Sequence, residues 1–196
     1  RYNPIDELIF TVLTQHTSDK NAERAFDALK SKFIEWKYVE NADPKAIAKT
    51  IYHGGLANQK STRIKNILTH ILNRLGDFNL EFLKSQKLDE TRDWLMSLPG
   101  VGPKTAAVVM AFSLKLPAMP VDTHIHRVSG RLGLIRKGTT ADEAHKVLEE
   151  IVKPELRFPL HTLLINHGRM VCRARNPLCE KCPLKHTCPY KNQFIQ

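Results

Sequence analysis

An all-α fold is predicted by three features of this 196-residue sequence. About nine segments repeat apolar residues at helical spacing. No two neighbouring segments show the strict alternation of a sheet ladder, and Asn, Asp, Thr and Pro stand where those segments begin, while Gly stands where several end.

The first helix is read in YNPIDELIFTVLTQ. Asn3 is placed to cap it, Pro4 takes the first helical position, and Ile5, Leu8, Ile9, Val12 and Leu13 make one stripe. After the polar HTSDKN, the residues Ala22, Ala25, Phe26, Leu29 and Phe33 mark a second helix. Asp43-Pro44 opens a third, PKAIAKTIY, which Gly54-Gly55 stops. The turn HGGLANQK leads into a long helix carrying Ile64, Ile67, Leu68, Ile71, Leu72 and Leu75 and ending at Gly76. LDETRDWLMSL supplies another helix ahead of LPGVGPKTAAVV, whose Ala-rich continuation has to stop near Pro117 and Pro120. Asp122 caps THIHRVSGRL before Gly133, and Thr140 with Glu143 forms a capping box for ADEAHKVLEEIV. PLHTLLINHG is the last apolar helix before the cysteines, and the Pro-bounded KLPAMP at 115–120 is the best domain boundary.

A chain that is 42% hydrophobic has enough apolar material for a packed core without disulfide staples. Lys and Arg number 30 against 20 Asp and Glu, a formal charge of +10 spread along the chain, which favours an anionic macromolecular partner over a charged tail. No apolar run approaches the ~20 residues of a membrane-spanning helix, and no secretory signal opens the chain. An intracellular protein is therefore expected, in the cytoplasm or nucleoid if the source is bacterial. The chain opens at Arg1 without an initiator methionine, so a processed or trimmed start is expected.

All four cysteines, Cys172, Cys179, Cys182 and Cys188, stand near the C-terminus as C-x6-C-x2-C-x5-C. In a reduced compartment a shared metal is a better reading than disulfides. Zinc usually takes two short-spaced pairs, and only one C-x2-C is present. The irregular wrap suits a cubane iron-sulfur cluster, with zinc the alternative. Arg169, Arg173, Arg175, Lys181, Lys185 and His186 would offset the anionic cage. The loop between Cys179 and Cys188 could present Lys181 or Lys185 to phosphates, or these charges simply solvate an exposed segment.

In LPGVGPKTAAVV, Gly100 and Gly102 are expected to adopt positive φ and, with Val101, to turn backbone N–H groups toward one concavity ahead of a helix N-terminus. That is a phosphate seat without sequence specificity. Lys104 sits in the first turn of that helix, where the dipole disfavours a further positive charge. It either pairs with a phosphate or acts as a nucleophile. Asp122, 18 residues on, could return a carboxylate to it, or could only cap its own helix.

Together, LPGVGPKTAAVV, VDTHIHRV, NHGRMVC and the cysteine spacing resemble the endonuclease III family of the helix-hairpin-helix DNA glycosylases, over about Ile5 to Tyr190. The resemblance implies a barrel-like helical domain over 1–116, with the hairpin at about 88–113, beside a smaller domain over 117–196 carrying a 4Fe-4S cluster on the four cysteines. Duplex DNA with damaged bases or abasic sites would bind a monomer across the cleft between them, and the damaged nucleotide would be flipped out.

By the same resemblance Lys104 is the catalytic lysine that attacks the sugar C1′, and the resulting Schiff base permits β-elimination. Asp122 is the catalytic aspartate, accepting the lysine proton or stabilising positive charge on the sugar. Leu56 matches the family's wedging leucine. His16 stands where the family usually carries a wedging glutamine, with Gln15 just before it as the alternative. Met96, where relatives often carry an acid, and a long stretch between Leu75 and Leu98 are further departures. Removal of oxidised pyrimidines with strand nicking is the activity implied. The alternatives are a monofunctional mismatch, uracil or adenine glycosylase, or a non-enzymatic DNA-binding module. Because the chain ends eight residues after Cys188, the adenine-specific branch, which adds a C-terminal domain, is not expected.

Overall fold

The computed structural model describes residues 2–192, and all regular structure among them is helical. The chain divides into two compact units, Arg1–Leu116 and Pro117–Gln196.

In the first unit, α1 (Pro4–Thr14) starts as its sequence requires: the Asn3 side chain accepts the Asp6 N–H at 2.9 Å and Pro4 needs no partner. Leu8, Ile9, Val12 and Leu13 are wholly buried. α2 (Asp19–Lys32) is capped by Ser18 and buries Ala22, Ala25, Phe26 and Leu29. The short α3 (Trp36–Asn41) has no periodic signature in the sequence, because six residues are too few to show one. Its anchor is Trp36, whose indole N–H donates to Asp6 at 2.8 Å. α4 (Pro44–Thr50) is capped by Asp43 and gives way to a 3-10 turn at Tyr52–Gly54, two residues earlier than expected. α5 (Ala57–Leu75) is the long central helix, ended by Gly76 at φ 75°.

The stretch between Leu75 and Leu98 holds a 3-10 turn, Glu81–Ser85, before α6 (Leu88–Met96). Residues 97–102 turn the chain into α7 (Pro103–Val108), after which Val109–Ser113 widens into a π turn closed by the Leu114 N–H on the Val109 carbonyl. Arg74, near the end of α5, donates to Ser97 at 2.6 Å and lies over the Trp94 ring, fixing the end of α6.

The second unit packs α8 (Thr123–Arg131), α9 (Ala141–Ile151) and α10 (Pro154–Met170) around Val121, Ile125, Val128, Ala144, Leu148 and Leu164. The capping box of Thr140 and Glu143 is present. α10 begins at Pro154, not Pro159, which lies inside it. The earlier proline is pre-set for a helix start, and Arg157 secures the first turn by donating to the Val152 and Glu149 carbonyls. Gly168 is required where α8 and α10 meet, since a Cβ there would stand 3.0 Å from the His124 Cβ and 3.2 Å from Val128. The extended Pro117–Val121 segment has its backbone held by side chains instead of a ladder. Glu149 accepts the Met119 N–H at 2.9 Å, while His145 and His161 bond the Met119 and Pro120 carbonyls at 3.0 and 2.8 Å. A terminal turn, α11 (Pro189–Asn192), follows the cysteines.

Candidate functional site

The turn between α6 and α7 corrects one expectation. Gly100 has φ 75°, but Gly102 has φ −98° and is an extended N-cap, so only the first glycine needs the left-handed region. Gly102 is a glycine at a helix start whose Cβ direction is open. Val101 is buried and its N–H donates to the Leu98 carbonyl at 3.1 Å, which pins the turn. No side chain caps α7, so the leading amides of that helix are not taken up by a cap. Lys104 is exposed at its second position and has no ion-pair partner among the described residues, while Thr105 beside it is buried.

Gly100 also has a neighbour that the sequence did not announce. A Cβ on it would lie 2.7 Å from the Arg63 Nε, so the α5 arginine packs on the bare backbone of the turn. Arg63 Nη1 also donates to the Gln15 side-chain oxygen. One guanidinium therefore joins the end of α1, the middle of α5 and the hairpin turn.

Asp122 belongs to the second unit, whereas Lys104 belongs to the first. Its Oδ1 accepts the Ile125 N–H at 2.7 Å and caps α8, and among the described residues its Oδ2 makes no hydrogen bond. The capping role is thus real, and it leaves one oxygen of a half-buried carboxylate unused.

His16 and Leu56 share an unusual backbone. Both are non-glycine residues in the left-handed region, at φ 54° and 48°, a conformation costing about 1–2 kcal/mol for an ordinary side chain. They line one cavity of about 100 Å³ together with Gln15, Gln59, Lys60 and Arg63. Gln15 is turned back onto Arg63, and the exposed side chain of the pair is His16. Lys60 is only 3% exposed and donates at 2.7 Å to both the Leu13 and Gly54 carbonyls, joining the last turn of α1, just before His16, to the 3-10 turn just before Leu56. Burial pushes its pKa below the ordinary lysine value. The missed signal was phase: Lys60 falls four residues before Ile64, on the apolar stripe of α5. Arg63 carried no such signal, because its partners are distant in sequence. Met96 is 38% exposed at the end of α6.

The four cysteines are free thiols, each half-buried, and all four line one pocket with Val128, His167 and Tyr190. A single zinc with Zn–S bonds of about 2.3 Å would draw its sulfurs to within about 4 Å of one another. Among the described residues no three His, Cys, Asp or Glu converge in that way. Four thiolates spread around a pocket suit the larger cubane. The surrounding donors suit an anionic sulfur cage as well. Arg131 Nη1 reaches Cys172 Sγ at 3.3 Å, and His167 Nε2 lies 3.7 Å from Cys182 Sγ. Arg131 is in turn stacked on the Tyr190 ring at 4.4 Å. Burial lowers the pKa of His167. Of the two lysines expected to face phosphates, Lys181 is exposed, whereas Lys185 lines the cysteine pocket and reaches back to the Glu180 carbonyl at 3.4 Å. No helix among the described residues is long and apolar enough to cross a membrane.

Comparison with known proteins adds to this geometry. The model of the HhH-GPD superfamily base excision DNA repair protein matches residues 9–154, and that of the iron-sulfur binding domain of endonuclease III matches residues 172–188. An endonuclease III of Thermotoga maritima is 34% identical over 188 residues, covering 96% of this chain and 84% of that protein. An Arabidopsis thaliana relative is 37% identical over 171 residues, which are 87% of this chain but 58% of the plant protein's length. Among solved structures, a trapped endonuclease III–DNA covalent intermediate superposes with a TM-score of 0.85 at 30% identity, covering all of this chain and 88% of that one. The four pocket cysteines fall inside the iron-sulfur match, and the chain carries the 4Fe-4S motif of the family.

Proposed function

This chain belongs to the HhH-GPD superfamily of base excision DNA repair proteins and is an endonuclease III-like DNA glycosylase; we propose that it is bifunctional, releasing oxidised pyrimidines from duplex DNA and then nicking the strand as an AP lyase. The observation that carries this reading is Lys104, an exposed amine without an ion-pair partner among the described residues, held at the start of α7 directly after the Gly100–Gly102 turn.

Lys104 Nζ attacks C1′ of the damaged nucleotide. The N–C1′ bond forms as the glycosidic bond breaks, and the base leaves with that electron pair and takes up a proton. The nitrogen gives up one proton, and the C1′–O4′ bond then breaks with O4′ taking up a proton, which opens the ring and leaves the protonated Schiff base. Removal of a C2′ proton then expels the 3′ phosphate, and water releases the lysine. The Oδ2 of Asp122, left over from capping, accepts the ammonium proton or faces the positive charge that develops on the sugar.

The turn from Gly100 to Gly102 grips a phosphate through the amides that stay free at the start of α7, with the buried Val101, its N–H already bonded to Leu98, pinning the turn; this accounts for an uncapped helix start and an open Gly102. His16 and Leu56 fill the gap left by the flipped nucleotide, with Gln15 supporting from Arg63, and Lys181 adds charge toward the backbone while Lys185 faces the cysteine pocket. The first unit is the barrel domain in this reading and the second the cluster domain. Cys172, Cys179, Cys182 and Cys188 would hold the cluster, which when bound would cross-link them and shape the loop between them. The protein acts as a monomer.

The test is to incubate the protein with duplex containing thymine glycol, add borohydride and look for a covalent adduct. The adduct should form in the wild type and vanish in Lys104→Ala. Base release without an adduct would make the enzyme monofunctional, and neither product would make it a binding module. Asp122→Asn, which keeps the cap, should slow base release with little change in melting temperature.

A further inference from the structure

A second concave region of the second unit adjoins the cysteine pocket, sharing Arg131 and Tyr190 with it, between the C-terminal half of α8 and the 131–139 turn. It is a cavity of about 340 Å³, and five of its lining residues are basic: His126, Arg127, Arg131, Arg136 and Lys137. No carboxylate lines it. Among the described residues none of the four Arg and Lys side chains has an ion-pair partner. We infer that this cavity is a phosphate-binding site, independent of the hairpin turn.

The argument begins with preorganisation. Arg127 is fixed by donating to the Cys172 and Gly168 carbonyls at 3.1 and 2.9 Å. Arg131 is fixed by the Arg173 and Ala174 carbonyls at 2.7 and 3.1 Å. These bonds are to neutral carbonyls and orient both guanidinium groups; Arg131 Nη1 also lies 3.3 Å from Cys172 Sγ and shares its charge with the cysteine pocket, whereas no sulfur or carboxylate is bonded to Arg127 among the described residues. His126 is tied across the cavity wall to the Thr139 carbonyl at 2.8 Å; a carbonyl only accepts, so Nε2 carries the proton. Arg136 and Lys137 are exposed, their side chains make no hydrogen bond among the described residues, and they are the groups free to close on a ligand.

The C-terminus of α8 would ordinarily repel an anion through its unpaired carbonyls. Here three of those carbonyls are occupied: Val128 by the Leu132 N–H, Ser129 by Leu134 and Gly130 by Gly133. With most of the negative end of the helix satisfied, cationic side chains dominate the cavity. Gly138, at φ 91°, turns the chain there and leaves its Cβ direction empty, so a ligand can approach the backbone. A phosphate group matches this set of donors in charge and in its demand for several N–H groups. It can come from a DNA phosphodiester or from a free phosphorylated molecule.

The test uses the full holoprotein and the double variant Arg136→Gln/Lys137→Gln, whose side chains touch nothing that folding needs. Inorganic phosphate is titrated while the 136–139 backbone amides are followed by NMR at constant ionic strength. Saturable shifts in the wild type that vanish in the variant support the site; equal shifts with chloride, an adventitious ion only, overturn it. Binding to undamaged duplex is then measured against salt concentration. A salt slope reduced by about 1 in the variant identifies the backbone of DNA as the source. An unchanged slope with phosphate binding retained in the wild type identifies a free phosphate. Absence of both effects overturns the proposal.

Discussion

The loops around His16 and Leu56 and the segment around the four cysteines are both irregular, and they are kept in shape by opposite means. The first pair is braced from inside by the chain's own side chains: Lys60 holds two carbonyls, and Arg63 holds Gln15 and the backbone of Gly100. The cysteine segment has four free thiols around a pocket and little regular structure beyond a 3-10 turn at Cys179–Lys181. Its cross-link is the cluster. A buried lysine fixes a loop as soon as the core forms, whereas a cluster-held loop is as stable as its ligands are loaded.

That contrast breaks most visibly at a ligand. Cys182→Ser should remove cluster absorbance and open residues 172–188 to proteolysis, a loss on the order of 10 kcal/mol for a structural metal site. Digestion between 54 and 63 should stay as slow as in the wild type. Simultaneous cleavage of both regions would mean that they are not braced independently.

Lys60→Met should come next, at about 2–4 kcal/mol, because two buried carbonyls lose their donor. Denaturant melts check it. The pH dependence has a definite sign. The folded pKa of Lys60 is lowered by burial, so between that value and the ordinary lysine value the unfolded chain holds a proton that the folded chain has released. Stability from this group therefore rises with pH across that alkaline window. The variant should lack the rise, while cluster retention at neutral pH stays intact.

The two glycines of the hairpin turn sharpen the comparison further. Gly100→Ala meets both a positive φ and the Arg63 side chain, and should cost about 1–3 kcal/mol. Gly102→Ala meets neither and should change stability by no more than about 0.5 kcal/mol. If Gly102→Ala nevertheless weakens DNA binding in a fluorescence titration, the open face of Gly102 is a ligand contact; an unchanged affinity removes it from the interface.

Much of the helical framework could be read from local chemistry. Asn3, Asp43, Asp122 and the Thr140–Glu143 pair sit where their side chains bond the first-turn amides. The same locality explains what was hidden. α3 is shorter than two turns and is held by Trp36 on Asp6, and the π turn after α7 depends on how Val109–Ser113 packs. Gly102 was misjudged because a glycine pair does not reveal which member needs the positive φ. At the candidate site, Lys104, Asp122 and the cysteines announce themselves by motif. Arg63, Lys60 and Arg131 do not, because each works across 40 residues or more, reaching Gln15, Leu13 and Cys172.

Lys60 also has a mechanical meaning. An ammonium that grips one carbonyl in the last turn of α1 and one in the 3-10 turn before Leu56 is a hinge pin: neither can shift without loading the other. His16 and Leu56 therefore move as the two jaws of one clamp of fixed gape, and substitutions at the end of α1 and in the turn before α5 should prove non-additive.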